Sequence, residues 1–254
     1  MKKKVGKTNV FILIYCISTI SSIAIASDAI YIKTDSEHPP ADNSISFGWD
    51  ASLASKYIWQ GIDYSNGGVV FQPEAYLAIN NFSATVWINH DIDTNKSDEI
   101  DLYLQYDWSF TDYALSAGYA YYDYPQNEPH RDNWEASQEL YLDISIETEL
   151  NPSLSIHYDF DAGEGAYYAL GVSHDYEAAV ADFSLAANLF YHDNYYETSG
   201  IPSFELNAST SFSSGSLTIS PSVSYFHTWE NGDFRDSNSV PGVWLFSVNI
   251  ARDY

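Results

Sequence analysis

Cysteine is nearly absent from this chain: Cys16 is the single one in 254 residues, alongside one methionine. A disulfide framework, a thiolate metal centre and a mature cysteine nucleophile are thereby excluded, because Cys16 lies within the N-terminal segment that the sequence marks for removal. It sits mid-way along an apolar run behind Ile14 and Tyr15, without the small residues that precede a lipidated cysteine, and reads as a bystander. Positive charge is scarce too, with 10 Lys+Arg against 35 Asp+Glu and a net charge of −25. A polyanion such as nucleic acid would be repelled. Long apolar runs are missing beyond residue 26, so no segment reaches the eighteen or so residues of a membrane helix. Any crossing of a membrane must be made by strands.

The first 26 residues are a separate unit. Lys2, Lys3, Lys4 and Lys7 form a basic start, Val10 to Ile20 an apolar stretch, and Ala24-Ile25-Ala26 a small-x-small cleavage site, which together read as a secretory signal peptide. Its removal leaves six basic residues against the same 35 acids. Residues 27–43, with Pro39-Pro40 and no periodicity, are expected to form a flexible periplasmic leader.

What the chain has in excess is aromatic: 22 Tyr, 13 Phe and 7 Trp. From residue 44 to 254 they fall in segments of strict alternation. Ile100, Leu102, Leu104, Tyr106 and Trp108 alternate with Glu99, Asp101, Tyr103, Gln105 and Asp107. That period of two belongs to a strand with one apolar and one wet face, since a helix would scatter the carboxylates around itself. After Thr111-Asp112 the pattern resumes with Tyr113, Leu115, Ala117, Tyr119 and Tyr121, which predicts a hairpin. Ten further segments of the same kind bring the expected count to twelve. Turns after the even strands are short, whereas the connections after the odd strands are generally longer and richer in Gly, Asn, Asp and Pro.

This layout predicts an all-β, antiparallel up-and-down transmembrane barrel of twelve strands in the bacterial outer membrane. Backbone groups in hydrocarbon have no water to bond, so a sheet there must close on itself. Tyr57, Trp59, Trp108, Phe110, Tyr113, Tyr124, Tyr191 and Phe212, near strand ends, are expected in the interfacial girdles. A soluble β-sandwich would share the alternation but not the loop parity or the signal.

The wet faces predict a carboxylate-rich lumen, with Asp50, Lys56, Glu74, Asp101, Asp107, Glu139, Asp143, Glu147, Asp159 and Glu205 lining it and Asp161 at the rim. Such a pore favours cations and neutral solutes over anions. Inward Trp87, Tyr103 and Tyr141 could narrow it. The run from Asp91 to Glu99 begins like a calcium loop, but Lys96 replaces the required Gly and Leu102 the bidentate acid, so a solvated loop is expected. Ser173-His174-Asp175 places hydroxyl, imidazole and carboxylate in sequence, yet neighbouring strand residues face opposite ways and cannot form a relay. No catalytic residue, cofactor or metal ligand is nominated. A passive channel for small solutes leads, ahead of a structural or surface-interaction barrel and a barrel lipid hydrolase. Expected partners are outer-membrane lipid and lipopolysaccharide, the barrel-assembly machinery, which reads an aromatic-ended last strand such as the one closing at Tyr254, and periplasmic chaperones.

Certain motifs add a resemblance. Ser55-Lys-Tyr57-Ile-Trp59-Gln-Gly61 with Ser65, then Glu99-Ile-Asp101-Leu-Tyr103, Gly118-Tyr-Ala-Tyr-Tyr122-Asp-Tyr124-Pro125 and Trp134-Glu135 are similar to the TorF porin family, also called the Gcw-type proteobacterial outer-membrane family. In that family an Arg usually precedes the first motif's Gly; Gln60 stands here. The resemblance implies an outer-membrane barrel with a transport role, over roughly the first half of the mature chain.

Overall fold

The computed structural model describes residues 45–60, 62–65, 68–125, 135–176, 181–229 and 242–254. The expected signal peptide and leader, together with Gly61 and Trp134, lie outside the described residues. Alternating apolar and polar residues make every described long segment a strand. In chain order these are β1 (Ile45–Ala54), β2 (Ile58–Trp59), β3 (Ile62–Asp63), β4 (Val70–Ile79), β5 (Phe82–Asp91), β6 (Lys96–Ser109), β7 (Tyr113–Asp123), β8 (Ser137–Ile146), β9 (Ser153–Asp159), β10 (Gly165–Tyr176), β11 (Asp182–Tyr195), β12 (Thr198–Gly200), β13 (Ser203–Ser214), β14 (Leu217–Thr228) and β15 (Val243–Asp253).

Twelve of them close into one antiparallel barrel. Each long strand pairs with its neighbours in sequence; β1 pairs with β15, and β10 with both β9 and β11, so the ring has no open edge. The small strands stand apart, β2 paired with β3 in the first connection and β12 with β11. Turns at residues 80–81, 110–112, 147–152 and 215–216 lie at the same end as both described termini, while the β1–β4, β5–β6, β9–β10 and β11–β13 connections lie at the other. Asn80 and Asn151 adopt positive φ values of 54° and 32°, as tight turns at those places require.

Polarity is inverted relative to a soluble fold. Phe47, Leu53, Leu77, Leu140, Leu170, Leu206 and Phe246 are exposed on the outside, whereas Asp50, Glu74, Asp101, Glu139, Asp159 and Glu205 are buried within. A one-residue slip of any strand would reverse that arrangement, so the pattern also fixes the register. Two inward tyrosines lie over cross-strand glycines. Tyr76 stands opposite Gly48 and Tyr141 opposite Gly118, and a Cβ at either glycine would come within 2.6 Å or 2.2 Å of the facing ring. Gly118 of the resemblance motif therefore clears the space in which Tyr141 lies along the wall, its hydroxyl donating to Gln105 Oε1 on β6 at 3.0 Å.

Three expectations change. Asp91 and Asp98 belong to strands, not to a long loop: β5 runs on to Asp91, β6 starts at Lys96, and the link is a short hairpin with Asn95 at φ 55°. A register shift between Asn89 and His90 turns both Asp98 and Glu99 inward, where Asn89 Nδ2 donates to Asp98 Oδ1 at 2.6 Å. Glu147 leaves the interior row because β8 ends at Ile146; it is exposed in the turn, its N–H bonded to the Asp112 carbonyl at 2.9 Å. Finally, Tyr57 and Trp59 are not in an outer girdle. Their loop folds inward, and Tyr57 is buried in an apolar cluster with Ile58, Val70, Trp87, Phe190 and Phe226. Trp108, Phe110, Tyr113, Tyr191 and Phe212 keep the expected exposed places near strand ends.

Candidate functional site in the barrel interior

At the loop end, the interior is crossed by the connection between β1 and β4. A lysine–carboxylate pair shapes this strap: Lys56 Nζ lies 2.9 Å from Asp63 Oδ2, while Ser65 donates to Asp63 Oδ1 from its N–H at 3.0 Å and its hydroxyl at 2.7 Å. Gln60, at φ 49° and 1% exposed, forms the far anchor. Its carbonyl accepts from Ser203 Oγ on β13 at 2.7 Å, and its side-chain amide meets His192 Nε2 on β11. On the other side of that imidazole, Nδ1 pairs with Thr198 Oγ1 at 2.7 Å. Trp59 packs edge-on against Tyr167 and at a tilt against Tyr195, with ring centroids 5.6 and 5.7 Å apart. The strap thus reaches strands that stand well round the ring from the two it joins.

Below it, the carboxylates are tied into the wall. Glu139, fully buried, accepts from Tyr122 at 2.9 Å and Tyr195 at 2.6 Å, and its Oε2 lies 3.1 Å from His157 Nδ1. The His157 ring is stacked between Tyr141 and Tyr167, with interplanar angles of 14° and 17°. Asp143 accepts from Ser155 and stands 3.9 Å from His157 Nε2. Asp159 is bonded by Ser137 Oγ at 2.6 Å, Asp101 by Tyr103 at 3.0 Å, and Glu205 by Asn188 at 3.1 Å. Asp107, nearer the turn end, accepts from Ser116 at 2.6 Å and Gln105 at 2.8 Å. These bonds replace part of the water each ion gives up on burial.

The opposite wall, on β13, β14 and β15, carries mostly uncharged polar groups toward the turn end, with Asp253 of β15 accepting from Tyr76 at 2.7 Å. Asn207, Ser222, Ser247 and Asn249 are half-buried there, with Asn207 donating to Ser224 and Ser222 paired with Ser247. Tyr124 of the resemblance motif sits just past β7, where burial and then the charge of Glu99 raise its phenol well above the ordinary range.

Nine of the ten residues expected at the lumen are thus brought to the interior or the strap; Glu147 is not. His174 Nδ1 instead faces the Glu149 carbonyl at the turn end, so Ser173-His174-Asp175 does not converge. No group of three or more His, Cys, Asp or Glu suited to a metal occurs among the described residues. Sequence reading passed over Gln72, Asn188, His192, Tyr195 and Ser203. The first two share the period-two row of the named acids and were findable by it.

Closed ring, apolar outside and charged inside define a β-barrel of the transmembrane type. The chain belongs to the family described as "Bacterial protein of unknown function (Gcw_chp)", whose model matches residues 38–231. Among solved structures the fold is similar to "KdgM porin", at 12% identity and TM-score 0.53, covering 82% of this chain and 99% of that one. It is also similar to the NanC porin, at 12% identity and TM-score 0.51, covering 81% and 98%. No curated protein matches the chain.

Proposed function

We propose that this barrel is an outer-membrane channel of the TorF type for small solutes, with an acidic interior that favours cations and no enzymatic role. The observation that carries the reading is the row of inward carboxylates, Asp50, Glu74, Asp101, Glu139, Asp143, Asp159 and Glu205, on a ring whose outside is apolar. A low-dielectric wall concentrates their field along the axis and lowers the energy of a passing cation. In this reading the turn end faces the periplasm and the loop end, with its strap, the outside. Outer-membrane lipid and lipopolysaccharide contact the belt. The last strand is offered to the assembly machinery by an end already matched to the first: Tyr254 stacks on Phe47 at 4.9 Å, and its N–H bonds the Phe47 carbonyl at 2.9 Å. Arg252, on the outer row, lies 4.6 Å from the Tyr254 ring, so its charge can reach the interface while its stem stays in lipid.

Planar-bilayer recording of the refolded mature protein tests the reading. A potassium chloride gradient should give a reversal potential on the cation side, and Asp101→Asn with Asp143→Asn should reduce the cation-to-anion permeability ratio by about twofold or more. Unchanged selectivity would remove the role assigned to these carboxylates. A second reading, a non-conducting structural barrel, is favoured by the packing of Trp59 and Gln60 across the interior; complete electrical silence in both directions of voltage would support it instead.

A further inference from the structure

The wall formed by β1 and β4 carries a second feature, which no ladder or network accounts for. Asp50 and Glu74 face each other directly across the two strands, both inward and both buried. Cβ atoms of such a pair lie about 4.5–5.5 Å apart, and like charges so placed repel. Asp50 is partly compensated, since Asn249 Nδ2 donates to its Oδ1 at 3.0 Å and to Ser52 Oγ at 3.1 Å. Glu74 has no donor or cation paired with it among the described residues, although it is only 7% exposed.

Two positions along β4 on the same face stands Gln72, 1% exposed, opposite Ser52. Its amide orientation is set by a chain of bonds: Gln72 Nε2 donates to Asn89 Oδ1 at 3.0 Å, and Asn89 Nδ2 donates to Asp98 Oδ1 at 2.6 Å. Asn89 therefore has its oxygen toward Gln72, so Gln72 must present nitrogen to it. Gln72 Oε1 is left buried and without a hydrogen-bond donor. A buried carbonyl oxygen of that kind calls for a partner.

We propose that Glu74, Asp50 and Gln72 Oε1 form a binding station for a calcium-sized divalent cation in the lumen wall. Two facing carboxylates supply the two negative charges, and the amide supplies a neutral hard oxygen, a donor set that suits an alkaline-earth ion of flexible coordination. A water molecule would satisfy Gln72 but leave the carboxylate repulsion in place; a shared proton would relieve the repulsion but leave Gln72 unpaired. One cation answers both. The inference takes from the channel reading only that cations reach the interior.

Terbium serves as the probe for the test, on chelator-treated, refolded mature protein, with calcium as competitor. Trp87 stands directly opposite Glu74 on β5, so its excitation should sensitise terbium emission that calcium quenches by displacement. Glu74→Gln and Gln72→Leu should each weaken calcium binding about tenfold or more, whereas Asp193→Asn, at the exposed loop end, should leave it unchanged. Trp87→Phe keeps every ligand and should lower the emission excited in the tryptophan band, leaving what Tyr76 and Tyr57 sensitise, while calcium uptake by equilibrium dialysis persists. Unaltered calcium affinity in folded Glu74→Gln, or tryptophan-excited emission undiminished in Trp87→Phe, would overturn the site. Cation-selective conductance with no such binding removes the station alone, and binding without conductance removes the channel alone.

Discussion

Replacing Trp59 and Gln60 by alanine is expected to raise single-channel conductance about twofold or more, because these two side chains hold the strap across the interior. The argument rests on where the strap is tied. Its own internal bonds, Lys56 to Asp63 and Ser65 to Asp63, survive the change. Its distant anchors do not: the rings of Tyr167 and Tyr195 lose the Trp59 contacts, and His192 loses the Gln60 amide. The Ser203 bond goes to the Gln60 carbonyl and remains available, so the substitution loosens the strap without deleting it. Strand pairing is untouched, and the folded barrel should keep its resistance to unfolding in detergent. Equal conductance in variant and parent would mean that the constriction lies elsewhere.

A larger effect on stability is expected on the opposite face of the wall. Leu170 stands near the middle of β10, 58% exposed, beside Leu154 of β9 and Leu189 of β11. Leu170→Arg should cost about 2–4 kcal/mol in a bilayer, the penalty for a guanidinium near the midplane. Refolding into lipid vesicles, followed by denaturant titration, measures it. Asn207→Arg, which turns inward on β13, is the matched control and should cost far less, since a guanidinium there faces polar groups and carboxylates. Equal cost at the two positions would contradict the lipid assignment of the outer row.

How much of this was legible beforehand follows from the range of each interaction. Period-two alternation is a local property, and so the twelve strands, the turn parity and the inward direction of Asp101 or Glu139 could be read from neighbours in sequence. Gln72 and Asn188 occupy the same row but carry no charge, and a reading led by carboxylates passed over them. The strap was illegible for a different reason. Gln60 meets His192 across 132 residues and Ser203 across 143, and a loop has no periodicity to say which way its side chains turn. Near strand ends, Tyr57 and Trp59 looked like Trp108 and Phe110; only the fold separates rings that face lipid from rings that enter the barrel. Asp98 and Glu99 show the third kind of limit, because the register shift that turns both inward interrupts the alternation on which the reading depends.

The facing of adjacent residues on one strand tests the whole account most directly. In the refolded mature protein, which begins after Cys16, single cysteines at Leu206 and Asn207 of β13 carry either a water-soluble, membrane-impermeant thiol reagent or a fluorophore, in protein inserted into lipid vesicles. The account predicts that Asn207→Cys reacts with the aqueous reagent and is not quenched by brominated acyl chains, and that Leu206→Cys is quenched by the lipid and resists the reagent. Reversal of the two, or aqueous reaction at both, would contradict a barrel that faces lipid with its apolar row and water with its polar one.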